Sequence, residues 1–149
     1  MLLTTICYIV KDDQVLMLHR VKKENDMNAN KWIGVGGKIE EGESPKECVL
    51  REVYEETGLT LNNVILKSIV TFNFAKYDNE LMFVYIAEDF QGDIKECDEG
   101  VLKWIPIEKI NDLELWEGDR YFLKHIFNNE GIQEIKLVYD LENRLVAHE

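Results

Sequence analysis

Between residues 2 and 10 apolar side chains follow one another almost unbroken, Lys11-Asp12-Asp13-Gln14 interrupts them, and residues 15–19 resume the apolar pattern. Short apolar runs on either side of turn-forming residues predict two buried strands joined by a hairpin. Residues 22–30 are mostly polar and predict an exposed loop before Trp32. A short glycine-rich segment follows, Ile33-Gly34-Val35-Gly36-Gly37-Lys38-Ile39. Further strands are predicted at 64–74, 81–88 and 101–105, with a closing hairpin of 134–139 and 144–148. Helical spacing is found twice, after Ser44 and over about 117–128. Strands outnumber helices, and the helices fall between them, which predicts an α+β fold: a mixed sheet covered by helices. With no internal repeat, low-complexity tract or Pro/Gly/Ser linker, residues 1–149 are expected to form one domain.

The helix after Ser44 carries unusually complete punctuation. Ser44 is a capping residue, Pro45 suits the first helical position, and Glu47 completes an S-x-x-E capping box. Gly58 supplies a left-handed stop, so the helix is predicted over Pro45–Thr57. At about 100° per residue, Glu52, Glu55 and Glu56 share one face, while Val49, Leu50, Val53 and Thr57 form another arc that should pack on the sheet. Cys48, one turn before Glu52, leaves room for close approach, and Arg51 is placed to hold the Glu55 carboxylate. Three glutamates on one face repel each other. The ordinary reading is a solvated face; the chemical reading is a site for hard, oxygen-seeking cations such as Mg²⁺ or Mn²⁺.

Composition narrows the partners. The formal net charge is −12, split as +2 over residues 1–39 and −14 over 40–149. Such an acidic excess argues against gripping a nucleic-acid polymer, whose affinity comes mostly from Lys and Arg on phosphates. It leaves room for a small phosphorylated substrate bridged by divalent cations. Cys7, Cys48 and Cys97 are odd in number and lack ligand spacing, so neither a disulfide framework nor a zinc site is expected. The apolar start has no basic leader, is short for a bilayer span and reads as a strand. A cytoplasmic protein without membrane partners, monomeric or homodimeric, is the expectation.

Spacing beyond the helix decides between the two readings of its glutamates. From Gly37 the chain reads GKIEEGESPKECVLREVYEETGL. This resembles the Nudix box, G-x5-E-x7-R-E-U-x-E-E-x-G-U with U apolar, at Gly37, Glu43, Arg51, Glu52, Val53, Glu55, Glu56, Gly58 and Leu59. At about 7% per fixed residue, a chance match is on the order of one in a billion per starting position. Outside the box, Lys31-Trp32-Ile33-Gly34-Val35-Gly36-Gly37-Lys38 resembles the G(K/R)W-x-G-x-GGK segment of the mutator-type, nucleotide-pool sanitising branch. Asp98-Glu99 and Trp116-Glu117-Gly118-Asp119 resemble that branch too, and the likeness runs from Thr4 to the end.

The resemblance implies an α/β/α sandwich with the box, residues 37–59, as a loop–helix–loop. It implies that Glu52, Glu55 and Glu56 ligate Mg²⁺ (or Mn²⁺), joined by a backbone carbonyl near Gly36 or Gly37 and by Glu99 as an extra ligand or general base. Arg51 would orient a ligand carboxylate and Glu43 would brace the loop. Arg20 and Lys38 would reach phosphates, and Trp32, Trp116 and Asp119 would meet the base. Each outlying residue also has an ordinary place: Trp32 in the core, Arg20 and Lys38 in solvent, Glu99 in an acidic loop, Trp116 as a helix anchor, Asp119 as a first-turn charge. His19, His125 and His148 show no pairing and read as structural or surface residues. The implied reaction is hydrolysis of a nucleoside triphosphate, foremost 8-oxo-dGTP, to monophosphate and pyrophosphate. ADP-sugars, dinucleoside polyphosphates and pterin triphosphates are alternative Nudix substrates, and a non-catalytic nucleotide-binding module is a further one. Two positions depart from the branch. Ile33 stands where the vertebrate enzymes have a base-reading Asn, and Gly118 stands where they have the first of two aspartates.

Overall fold

Asp12 and Asp13 both lie at positive φ, 51° and 61°, which gives the tight two-residue turn that returns β1 (Leu2–Lys11) into β2 (Gln14–His19). In the computed structural model, which describes residues 1–128 and 131–149, the chain continues through β3 (Trp32–Ile33), β4 (Val35–Lys38), α1 (Pro45–Thr57) and β5 (Thr60–Leu61). Then come β6 (Ile65–Phe74), β7 (Glu80–Ala87), β8 (Phe90–Gln91), β9 (Val101–Pro106), a 3-10 helix (Ile107–Asp112), α2 (Asp119–Asn128), β10 (Gln133–Tyr139) and β11 (Leu145–His148).

The large sheet runs β11-β10-β6-β7-β1-β2-β3, with β4 also on β1 and β9 also on β2. The β1–β7 and β6–β10 pairs are parallel and the others in this sheet antiparallel, a mixed sheet as expected. The unbroken apolar run of β1 has a simple cause: both of its faces are covered. Ile6 and Tyr8 point into a core shared with Phe122, Leu123 and Ile126 of α2. Cys7 and Ile9 point into a second core with Val49 and Val53 of α1. Helix, sheet and helix therefore form three layers.

Helix α1 is capped as its sequence predicts. The Ser44 hydroxyl accepts from the Glu47 amide at 3.1 Å, the Glu47 carboxylate accepts from the Ser44 amide at 3.0 Å, and Gly58 closes the helix at φ 82°. A cap of this kind contributes about 1 kcal/mol. Val49, Val53 and Thr57 are fully buried against the sheet. Two expectations shift. Helix α2 starts at Asp119, two residues after the expected start, because Trp116 and Gly118 are held outside it by their own partners. The loop over 22–30 is not simply exposed: the Asp26 side chain is buried against Arg20 at 2.8 Å, and Met27 and Asn28 turn inward.

Candidate active site

Strand register builds the floor of a cavity of about 960 Å³. Phe72, Glu80 and Leu2 form one row across β6, β7 and β1; Val70, Met82, Thr4 and Lys38 form the next; Val84, Ile6 and Gly36 lie beyond. Trp116, Asp119 and Phe122 reach the cavity from α2 and its approach, and Phe74, Tyr77 and Met82 extend its apolar lining. At the other end stand Arg20, Lys23, Gly36, Gly37, Lys38, Glu52 and Glu99. One end is therefore aromatic, and the other is charged.

The charged end is organised by Arg51 and by glycine. The Arg51 guanidinium donates to both oxygens of Glu43 (2.6 and 2.9 Å), to Glu52 (2.7 Å), to Glu55 (3.3 Å) and to the Lys38 carbonyl (3.2 Å). Its hydrogen bonds to Glu43 hold that carboxyl down to about 2. Gly37 is packed directly against the Glu52 carboxylate. At Gly36 any β-carbon would run into the Thr5 carbonyl of β1, so neither position accepts a side chain. Cys48 is fully buried beneath this strand, its sulfur 3.4 Å from the Lys38 carbonyl.

Glu56 lies inward of these groups, with one carboxyl oxygen buried and unpartnered. Burial, and then the neighbouring Glu99, push its carboxyl well above the ordinary range. Glu99 is in turn held by Arg20 at 3.1 Å, and Arg20 by Asp26. Burial likewise raises Glu52, and the charges of Glu55 and Glu99 add to the rise. Among the described residues no three acidic, His or Cys side chains close into a metal cage. The acids form an open set in which Arg51 takes up Glu52 and Glu55 while Glu56 faces Glu99. An unpartnered buried oxygen, three mutually repelling carboxyls and a glycine strand without side chains fit a divalent cation, which takes oxygen ligands and relieves such repulsion.

The aromatic end holds a second unpaired group. Asp119, the first residue of α2, is 5% exposed, and its side chain has no hydrogen bond or ion pair among the described residues. Burial, and then the charge of Glu80, push its carboxyl up to about 8. Trp116 is fixed by a 2.8 Å bond from its indole N–H to Asn28 and by an edge contact with Tyr139, and the Lys31 ammonium lies 5.6 Å from the ring centroid. Gly118 is held where a side chain has no room. Its amide donates to the Tyr139 hydroxyl at 2.6 Å, and a β-carbon there would stand 2.6 Å from that same oxygen.

The residues singled out from sequence therefore fall into three places. Arg20, Gly37, Lys38, Glu52, Glu99, Trp116 and Asp119 line the cavity. Glu55 and Glu56 flank its acidic end, Glu55 exposed and Glu56 half-buried, with Arg51 between Glu43, Glu52 and Glu55. Trp32 does not line the cavity: it stacks on His19, 4.3 Å between centroids and 2° between planes, and packs beside the core. His148 stacks on Tyr121, and His125 contacts the Gly131 carbonyl, both away from the cavity. Sequence reasoning passed over Thr4, Asp26, Asn28, Phe72, Phe74, Glu80 and Met82. The alternation Phe72/Phe74 and Glu80/Met82 was the available signal, since residues two apart share a face.

Residues 1–126 match the NUDIX domain family. An uncharacterised Nudix hydrolase of Bacillus subtilis, YvcI, is 31% identical over 97% of this chain and 90% of its own length. The oxidized purine nucleoside triphosphate hydrolase of Danio rerio is 34% identical over 78% of this chain and 74% of its own. Among solved structures, the MutT protein from Bacillus halodurans superposes with a TM-score of 0.89 at 29% identity, covering 100% of this chain and 97% of that one. The chain belongs to the Nudix hydrolase family and is an enzyme of that family. Its fold is the Nudix fold, and Nudix hydrolases work on nucleotide substrates with divalent cations. None of the helices among the described residues is long and apolar enough to cross a membrane.

Proposed function

We propose that this Nudix hydrolase, one domain over residues 1–149, cleaves a nucleoside triphosphate to monophosphate and pyrophosphate, with 8-oxo-dGTP as its substrate. One observation carries the reading: a single cavity joins the acidic Glu52/Glu99 end to an aromatic end that stops on the buried, unpartnered Asp119. A triphosphate laid along it places phosphates by the acids and the base by the aromatics.

In this reading Glu52, Glu55, Glu56, the Gly37 carbonyl and Glu99 hold Mg²⁺, with Mn²⁺ as a substitute. The cations supply charge neutralisation on the diphosphate when bound. Arg51 keeps Glu52 and Glu55 from drifting apart before the cations arrive. Arg20 and Lys38 face the phosphates, and Lys38 is the freer of the two because Arg20 is engaged by Asp26 and Glu99. Glu99 is the candidate general base. Trp116 flanks the purine, and Trp32 serves by stiffening β3 against His19 rather than by contact. Bulk acidity, −12 overall, favours a small substrate over a nucleic-acid polymer.

Asp119 provides the discrimination. With its carboxyl raised to about 8, it carries a proton at neutral pH and offers one donor and one acceptor. The O6/N7–H edge of 8-oxoguanine presents one acceptor and one donor, whereas ordinary guanine presents two acceptors there. A buried polar group left unpaired by the wrong base can discriminate by about 10⁴-fold. The test is a turnover panel of ordinary and oxidised nucleoside triphosphates with Mg²⁺, read by the phosphate products. A preference for 8-oxo-dGTP over dGTP of at least about tenfold is expected; a smaller one removes the oxidised-base assignment and leaves the family activity.

A further inference from the structure

Glu80 occupies a place on the cavity floor that ordinary sheet packing does not explain. It falls in the row between Phe72 on β6 and Leu2 on β1, and its next neighbour on the same face of β7 is Met82. All four side chains line the cavity. The Thr4 hydroxyl donates to one Glu80 oxygen at 2.6 Å, and no other hydrogen bond or ion pair reaches Glu80 among the described residues. Burial raises the Glu80 carboxyl, and the Thr4 hydrogen bond and the attraction of Lys38, one row away and not paired with it, work against that rise. Thr4 would be satisfied equally well by an uncharged acceptor. Two of the cavity's carboxyls, Glu80 from the floor and Asp119 from α2, thus face it without an ion pair among the described residues, and they lie close enough that the charge of Glu80 raises Asp119. An unpaired polar group in an apolar wall is costly unless a ligand pairs it.

We propose that Glu80 is a second base-reading residue, accepting hydrogen bonds from the N1–H and N2–H edge of a guanine-type base whose O6/N7 edge is met by Asp119. A carboxylate has two acceptor oxygens, which suit two parallel N–H donors, and adenine lacks that pair of donors. The two carboxyls divide the work: Glu80 separates guanine-type bases from adenine, and Asp119 separates oxidised from ordinary guanine. Thr4 is a positioning residue that aims the Glu80 carboxylate. The inference rests on the reading of the cavity as a nucleobase site.

The experiment measures binding of dGMP, 8-oxo-dGMP and dAMP in EDTA by tryptophan fluorescence, so that catalysis and metal play no part. It uses the full chain with Glu80→Gln, Glu80→Asp and Thr4→Val, and melting curves accompany each variant. Wild type is expected to favour the two guanine-type nucleotides over dAMP. Glu80→Gln should cut that preference at least tenfold, keep the ratio of 8-oxo-dGMP to dGMP, and melt as wild type does. Glu80→Asp and Thr4→Val should give intermediate losses. A guanine-to-adenine ratio unchanged in Glu80→Gln, absent in wild type, or lost only together with the melting transition in Glu80→Gln and Glu80→Asp alike, overturns the proposal. If wild type fails to favour 8-oxo-dGMP over dGMP while Glu80→Gln still lowers the guanine-to-adenine ratio, the oxidised-base reading falls and Glu80 keeps its role.

Discussion

The Glu52 carboxylate lies flat against Gly37: a β-carbon built on that glycine would stand 2.5 Å from the carboxylate carbon and 2.7 Å from each oxygen. The contact ties α1 to β4 at the acidic end of the cavity. Gly37→Ala must push Glu52 aside, and misplacing a catalytic group by an ångström costs roughly 10²-fold in rate. The expected outcome is a kcat reduced by about that factor with a nearly normal melting temperature. Full activity in Gly37→Ala would show that Glu52 need not sit there.

Glu56 is half-buried, and one of its carboxyl oxygens is buried without a partner. Glu56→Gln keeps the shape and removes a charge from the proposed cation site, so kcat should fall by roughly 10³-fold or more. The same change should shrink the gain in melting temperature between EDTA and millimolar Mg²⁺. In wild type that gain corresponds to about 2.7 kcal/mol at a hundredfold excess of cation over Kd. Turnover and metal response both unchanged in Glu56→Gln would move the cation site elsewhere.

Asp119 makes stability depend on pH in a known direction. Its carboxyl titrates near 3.8 when unfolded and about 8 when folded, so the native state binds the extra proton between these values. Its contribution is complete below about pH 4, falls through the window from 4 to 8 and is spent above it; the shift corresponds to roughly 6 kcal/mol at most. Asp119→Asn removes that slope. Melting curves in EDTA should show the variant gaining on wild type as pH rises from 5 to 9. For substrate, KM of wild type should climb above pH 8 while that of Asp119→Asn stays level, because the amide keeps a donor and an acceptor at every pH. Parallel melting curves would mean that Asp119 is ionised throughout.

Gly118 fits beneath the Tyr139 hydroxyl with no space for a β-carbon. Gly118→Asp, which puts an aspartate where the resemblance to the vertebrate sanitising enzymes would have one, is expected to destabilise the fold by about 1–3 kcal/mol through overpacking. Removing the obstructing hydroxyl, in Gly118→Asp with Tyr139→Phe, should recover part of the loss. Chemical denaturation of the three variants measures it, and a tolerated Gly118→Asp would show that the Tyr139 contact yields freely.

What could be read from sequence followed the range of the interactions. Helix α1 was legible in full because Ser44, Pro45, Glu47 and Gly58 act within one turn of its ends. The fixed spacing of Arg51, Glu52, Glu55 and Glu56 made their shared site legible too. The floor of the cavity was not, since Glu80 meets Phe72 and Leu2 only through the registers of β6, β7 and β1, and β6 shifts register between Leu66 and Ser68. Asp26 was hidden for a different reason: an acidic residue in a polar loop looks solvated until Arg20 is seen to fold over it. Trp32 misled by chemistry, since an aromatic beside a glycine strand suits a pocket wall, and the stack on His19 turns it away.

Strand β10 enters the sheet beside β6, in parallel, and carries the Tyr139 hydroxyl that receives the Gly118 amide. On the ribosome, the acidic helix, the glycine strand and Glu99 are all made before it. Parallel pairing of segments far apart in sequence is slow, because the loop entropy must be met before the contacts reward it. The charged end of the cavity can therefore be complete while its aromatic wall still waits for Tyr139. A chain whose β10 docks late or poorly would hold its acidic end in place while the Trp116 side of the cavity, which leans on Tyr139, stays unfinished.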